Sequence, residues 1–561
     1  MAQCRPPAAS LPLLQPHQSR CPRRRQGVTS SIDDTDLAYD VIVVGGGPGG
    51  LIAALTACHL GSSVLLIEQN YDLGGRGVIS GGGAYLGGGT SMQHAEGVED
   101  SPEKVFQDWI QAETPLGRYS DREIVWAYAN NAAATFEFMT EVGNVKWRPL
   151  GQPDRLDTIK RRAFSYEWPD PAGQVVPGQC GSGITRPLEQ AARELGVHFL
   201  LKHRMTAIQR NSNVHPTGRV SGLTAAEVDD YFVPTGRELS VAARQGIVLA
   251  TGGHSGDVNF RRMFDPRLTE EYQYTGQNWA PKTADGEYAA MAIGASIWGL
   301  AGQTNESDGQ LSKGLMATRS NYHGLLWSTN SPHFFRERAT GLKPSDYQNL
   351  ILVRENGVRF YDETVGVRDY DYFAAAMSWS GDPDKLNGGG PIWAIFDTDA
   401  VEREGWNVTP PYVDPDGYFF SADTIEELAR RIRMDYQWRQ MPPEALRSTV
   451  ERYNRSVDEG IDTDHNRPTP RFKIQRPPFY AAWHTPVVHD SYAGLRINGA
   501  AQVIATDERP IPGLYATGDC AGGFTQHGLG RALTFGHVSG RYVVSIPRLT
   551  ARNSTTAKEG E

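Results

Sequence analysis

The chain has 561 residues, 39% of them hydrophobic and 21% charged, with a formal net charge of −10; this suits a large folded enzyme of more than one domain. The acidic balance, with no basic block in the body, argues against nucleic acid as the main partner, and the lack of any apolar run of about 18 residues leaves no expected transmembrane helix. Cysteines at 4, 21, 58, 180 and 520 form no CxxC or CxxCH pattern, which argues against a disulfide framework, a zinc or iron–sulfur site and attached haem, and for a reducing compartment such as the cytoplasm.

Residues 1–35 are Pro-rich, carry Arg5, Arg20, Arg23, Arg24 and Arg25, and hold no acid before Asp33. They read as a disordered tail, with a mitochondrial transit peptide as the alternative. Asp40-Val-Ile-Val-Val44 is a buried strand that enters Gly45-Gly-Gly-Pro-Gly-Gly50, followed by a helix over Leu51 to Leu60 that stops at Gly61. Val64-Leu-Leu-Ile67 is a second strand ending at Glu68 and Gln69. GxGxxG fits Gly45, Gly47 and Gly50, with Pro48 and Gly49 between them. Gly45 permits the turn, Gly47 lets backbone approach a pyrophosphate, and Gly50 lets helix and strand pack closely. The free N–H groups of the helix start face the phosphates. Glu68, 23 residues after Gly45, stands where an acid accepts from an adenosine ribose. A dinucleotide site follows, with FAD or NAD left open by this motif alone.

Further apolar strands end in small residues at Gly246-Ile-Val-Leu-Ala-Thr-Gly-Gly253 and Gly513-Leu-Tyr-Ala-Thr-Gly-Asp519. These are expected to join one sheet, so the nucleotide domain is discontinuous: 36–299 and 476–548. Between them, 300–475 is rich in Trp, Tyr, Pro and Asp, with amphipathic helices over Thr424 to Tyr436 and Pro443 to Glu459, and reads as an inserted capping domain. Trp279, Trp298, Trp327, Tyr370, Tyr372 and Trp379 suggest an apolar pocket. Residues 549–561 are a polar tail. The fold class is α/β, a Rossmann-like FAD- or NAD-binding domain with an α+β cap.

Leu73-Gly-Gly-Arg-Gly77, Ile79-Ser-Gly-Gly-Gly83 and Gly87-Gly-Gly-Thr90 follow Glu68 closely. With Ala250-Thr-Gly-Gly253, Thr283-Ala-Asp-Gly-Glu287, Ile293-Gly-Ala295 and Pro512 to Asp519, this order of motifs resembles the fumarate reductase and 3-ketosteroid dehydrogenase group of flavoproteins. Gly530-Arg-Ala-Leu-Thr-Phe-Gly536 resembles the ketosteroid branch in particular. The resemblance implies FAD. It places Gly74, Gly75, Arg76, Ser80, Gly81 and Gly82 along the flavin side of the pyrophosphate, and Ala207 by the adenine. Ala250, Thr251 and Gly252 border the cofactor, Asp285, Gly518 and Asp519 lie near ribityl and phosphate, and Ala532 and Leu533 offer N–H groups to the flavin pyrimidine edge. Asp519 also suits a helix N-cap. Covalent flavin in this superfamily uses a histidine near the small-residue turn; Val78-Ile79-Ser80 has none, so non-covalent FAD is expected.

The group acts on CH–CH bonds beside a carbonyl or carboxylate, exchanging electrons with an external acceptor or donor. Here its substrate residues match only in part. His527 stands about where a carboxylate-binding arginine is expected, with Arg531 four residues on, and Arg368 near a proton-delivering arginine. His489 lies one residue out of register with a substrate histidine, and Tyr492 replaces a small residue near the flavin. Arg368 equally suits a surface ion pair, and Tyr492 core packing. The implied reaction is desaturation or ene-reduction of a largely apolar steroid-like, terpenoid or polyketide carbonyl compound. The alternatives are a flavin oxidase or hydroxylase at C–N or C–O bonds, and a redox-silent FAD protein.

Overall fold

The computed structural model describes residues 37–111, 119–153, 158–169, 175, 179–211, 218–274, 276, 279–299, 315–319, 334, 338–364, 371–376, 391–526 and 528–549. The β-branched, apolar run at the start forms β1 (Leu37–Val44), and the Gly45–Gly50 turn leads into α1 (Pro48–His59), one turn earlier than Leu51 because Pro48 is pre-set for the first helical position. β2 (Val64–Ile67) pairs parallel with β1, from Val41 opposite Val64 to Val44 opposite Ile67. This is a βαβ unit. On the far side of β1 lies β3 (Pro234–Leu249), also parallel, and beyond it β4 (Pro510–Ala516). His198–Leu200 closes the β2 edge, and Gln502–Ile504 runs antiparallel beside β4. The expected strands at 40–44, 64–67, 246–249 and 513–516 therefore do share one sheet, although they lie hundreds of residues apart in sequence.

α1 is built of small apolar residues and ten of its residues are buried. Against it packs α3 (Leu529–Val543). Two glycines let the helices approach: a Cβ on Gly536 would meet the carbonyl oxygen of Gly49, and one on Gly540 would lie 2.7 Å from that of Ala53. Between β3 and α3 in sequence comes the short helix α2 (Asp285–Met291).

A second core forms around the antiparallel sheet Ile351–Arg354, Ile392–Asp397, Phe479–Trp483 and Phe419–Ala422. On one face it buries Leu428, Leu446, Val450 and Tyr453 from the helices Ile425–Arg431 and Pro443–Glu459. The opposite face buries Tyr347, Tyr361 and Tyr372. This sheet takes in Phe479–Trp483, beyond residue 475. The helix expected over Thr424 to Tyr436 ends at Arg431. Gln440 Nε2 donates to the carbonyl of Ala429 at 2.7 Å and that of Ile432 at 3.2 Å, satisfying last-turn acceptors that a longer helix would have used itself. Among the described residues no helix is long and apolar enough to cross a membrane. Cys58, Cys180 and Cys520 are buried thiols. Residues 1–36, with the Arg-rich tail, lie outside the described residues.

Candidate FAD site

The carboxyl ends of β1, β2, β3 and β4 converge, and the chain turns there at four glycine-containing loops. At the first, Gly45 has a φ of 103°, a conformation that favours glycine. Gly50 lies so close that a Cβ on it would run into the carbonyl oxygen of Gly45. A Cβ on Gly47 or on Gly81, by contrast, meets nothing within 4 Å. Backbone at these two positions faces open space, the cradle a dinucleotide needs. Because α1 starts at Pro48, which has no N–H, and Leu51 N–H already returns to Gly47, the amides of Gly49 and Gly50 are the free donors of its first turn. The second loop locks on the first through Gly74 N–H to the Gly46 carbonyl at 2.8 Å.

Glu68 is buried at the end of β2. Its Oε2 accepts from Gly46 N–H at 2.6 Å and its Oε1 from Asn70 N–H at 2.8 Å. Burial pushes its pKa up, and the backbone donors oppose that shift. Each oxygen keeps a lone pair for a hydroxyl of a bound ribose. Beside it, His203 N–H donates to the Glu68 carbonyl, opening the strand His203–Arg210. Among the described residues that strand pairs only with Val220–Val228, and it bulges between Met205 and Ala207. Ala207 is exposed there, with one backbone edge outside the sheet. Gln69 Oε1 accepts from Arg204 Nε at 2.9 Å, and Asp285 Oδ2, 3.9 Å from the same Nε, accepts from Thr283 Oγ1 at 2.7 Å.

The opposite end of the cradle is charged. Asp519, at the turn after β4, accepts on Oδ2 from Arg76 (2.8 Å) and Lys282 (2.6 Å), and on Oδ1 from Arg531 (2.7 Å). Burial pushes its pKa up, but Lys282, Arg76 and Arg531 more than reverse this and hold the carboxyl well below the usual range. Arg76 also reaches Asp490 Oδ1 at 2.7 Å and the carbonyl of His489. Arg531, almost fully buried, ties down the carbonyls of Phe524 (2.9 Å) and Ser491 (3.1 Å), and its guanidinium lies 5.7 Å from the ring centre of Tyr492. His489 Nδ1 is 3.2 Å from Asp490 Oδ1, and Tyr492 is fully buried.

Of the residues singled out in the sequence, Arg76, Asp519, Arg531, His489 and Tyr492 come together at this charged end, and Glu68 lies with the Gly45–Gly50 turn at the other. His527 and Arg368 lie outside the described residues, as do Trp327, Tyr370 and Trp379. Ala532 and Leu533 stand at the fourth and fifth positions of α3, directly after Leu529, Gly530 and Arg531, the free donors of its first turn. Ser80 Oγ donates to the Gly77 carbonyl at 2.7 Å. One detail differs from expectation. The aromatic residues that suggested a pocket serve packing where they are described. Trp279 Nε1 props the Gly75 carbonyl at 2.8 Å, Trp298 packs under Arg496, and Tyr372 is buried in the second core. Lys282 and Asp490 were not foreseen, since neither belongs to a local pattern.

Residues 40–531 match the family described as FAD binding domain. The chain belongs to that family. FAD is its cofactor, the cradle fits one, and the protein is an FAD-dependent oxidoreductase. It is 26% identical to NADH:acrylate oxidoreductase of Vibrio harveyi over 90% of this chain and 49% of that one, so it spans about half the length of that relative. It is 27% identical to urocanate reductase of Eggerthella lenta (89% and 72%) and 24% identical to 3-oxosteroid 1-dehydrogenase of Mycolicibacterium smegmatis (90% and 97%). In fold it is similar to the open conformation of a flavocytochrome c3 fumarate reductase, with a TM-score of 0.61 at 22% identity, covering 91% of this chain and 78% of that one. It is also similar to 3-ketosteroid delta1-dehydrogenase from Sterolibacterium denitrificans, with a TM-score of 0.62 at 20% identity, covering 91% and 99%.

Glu68→Gln should weaken FAD binding by about 10-fold or more. An amide replaces a charged acceptor, and a hydrogen bond to a charged group contributes about 1.5–3 kcal/mol. Fluorescence titration of the apoprotein measures it; an unchanged Kd would remove Glu68 from the ribose site.

Proposed function

We propose that this oxidoreductase acts on a CH–CH bond next to the carbonyl of a neutral, largely apolar compound, as a desaturase or an ene-reductase, with FAD held non-covalently. The observation that carries this reading is the pairing of three converging cations. Arg76, Lys282 and Arg531 each bond to Asp519, and each also bonds to backbone carbonyls of the 489–491 segment. Asp490 takes a further bond from Arg76. The protein's own carboxylates occupy these cations, so a carboxylate substrate would have to break bonds already made. Among the relatives, the reductases are named for acrylate and urocanate, both carboxylates, and the dehydrogenase for a 3-oxosteroid, a neutral ketone; the pairing favours the second kind.

When bound, FAD supplies two-electron exchange with the substrate carbon. The chain's own residues must polarise the carbonyl oxygen and move the α-proton. We assign the oxygen contact to His527, flanked in sequence by Gln526 and Gly528, with Tyr492 as the alternative donor. Residues roughly 300–475 form the cap that covers the substrate. Electrons pass to or from an external small carrier.

The test mixes reduced enzyme with cyclic enones and with acrylate, fumarate and urocanate under anaerobic conditions and follows the flavin absorbance. Faster re-oxidation by enones is expected; faster re-oxidation by the carboxylates overturns the neutral-substrate reading, and fast re-oxidation by oxygen alone favours an oxidase. His527→Ala should keep the flavin spectrum and slow the substrate reaction by about 10²-fold or more. If it reacts at the wild-type rate, Tyr492→Phe becomes the deciding variant.

A further inference from the structure

Lys282 precedes the Thr283–Glu287 motif and joins three separate segments. Its ammonium lies 2.6 Å from Asp519 Oδ2 and 3.1 Å from the carbonyl oxygen of His489, with the side chain 4% exposed. Its stem runs beneath the loop after β3, where a Cβ on Gly252 would lie 3.8 Å from Lys282 Cγ, and its carbonyl accepts from Gly256 N–H at 2.9 Å.

The groups facing it come from every element packed there. Arg76 shares Asp519 Oδ2 at 2.8 Å and holds Asp490 at 2.7 Å; Arg531 holds Asp519 Oδ1 at 2.7 Å. His489 lies against Asp490, and α2 contributes Asp285 and Glu287. Glu287 is fully buried beside His254, 3.5 Å from its Nδ1, and burial pushes its pKa well up. Within the bonded cluster itself, three cations, Arg76, Lys282 and Arg531, face two carboxylates, Asp519 and Asp490, a formal excess of one positive charge. Two of the cations are guanidiniums, which do not release a proton in a protein. Lys282 is the one that does. Burial, then Arg76, push its pKa down to about 8 against the pull of Asp519 and Asp490.

We propose that Lys282 is the titrating element of the FAD site, a positioning residue whose proton decides whether the Asp519 cluster presents one excess positive charge to the bound cofactor or none. A positive cluster favours the negative charge that reduction adds, so the reduced state holds the proton more tightly. This rests on the FAD assignment alone and not on the substrate reading.

The experiment measures the midpoint potential of the flavin in the holoenzyme against pH, from about 6 to 10, by equilibration with reference dyes. In the wild type the potential should fall more steeply with pH just above about 8, where reduction takes up a second proton. Lys282→Arg should keep the wild-type potential near neutral pH and lose the steepening. Lys282→Met should shift the potential to more negative values and also lose it. A wild-type slope without the steepening, or steepening that persists in Lys282→Arg, overturns the proposal. Should Lys282→Met fail to retain FAD, the wild type and Lys282→Arg still decide.

Discussion

Asp519→Ala should destabilise the protein by about 3–5 kcal/mol, the usual effect of removing one partner from a buried ion pair. Its side chain is 11% exposed and three cations converge on it. Without it, Arg76 retains Asp490, but Lys282 and Arg531 keep only backbone carbonyls. Denaturant unfolding of the apoprotein measures the loss, and a change below about 1 kcal/mol would mean the cluster is solvated rather than buried. The pH dependence has a definite sign. The folded-state pKa of Asp519 is depressed, so its stabilisation is complete above the unfolded value near 3.9 and fades only as pH falls through the folded value. The difference between wild type and Asp519→Asn should therefore be flat from about pH 5 upward, until Lys282 begins to titrate near 8.

The second large effect separates two glycines of one motif. Gly50→Val forces atoms into the Gly45 carbonyl. Overpacking against side chains costs about 1–3 kcal/mol, and here the obstacle is backbone that cannot rotate away, so the loss should reach or exceed that range. The apoprotein itself should unfold earlier. Gly47→Val meets open space, and the backbone there is extended, with φ −71° and ψ −178°, which any residue adopts. Its apoprotein should melt like the wild type while FAD affinity falls by at least about 10-fold, because the side chain fills the room the cofactor needs. Thermal melts with and without FAD separate the two. Equal loss of apoprotein stability in both variants would mean that the space at Gly47 is filled by the protein.

How much of this was legible in the sequence follows from the range of each signal. β2 was placed to the residue, and Pro443–Glu459 at both ends, because strand runs and amphipathic helices with caps are local patterns. The glycine turn and Glu68 were legible because a fixed spacing ties them to one turn and one strand end. The aromatic residues misled because composition does not distinguish a ring that lines a cavity from one that props a loop, as Trp279 does. Lys282 and Asp490 were invisible for a deeper reason. Lys282 meets Asp519, and Asp490 meets Arg76, only after strands more than 200 residues apart have paired, and a lysine before a Thr-Ala-Asp-Gly turn carries no mark of that meeting.

The sheet order also governs how the protein comes into being. β4, at 510–516, seals the edge of β3 at Ile247–Leu249, and Asp519 and Arg531 follow it. At about 5–20 residues per second, the ribosome makes the stretch from β3 to α3 in roughly 15–60 seconds. Throughout that interval the half-built sheet exposes a parallel apolar edge, which invites pairing with another chain. The nascent chain holds the Gly45–Glu68 end of the cradle early, and Asp490, Asp519 and Arg531 of the charged end last. The Asp519 cluster can close only after the C-terminal segment has left the tunnel.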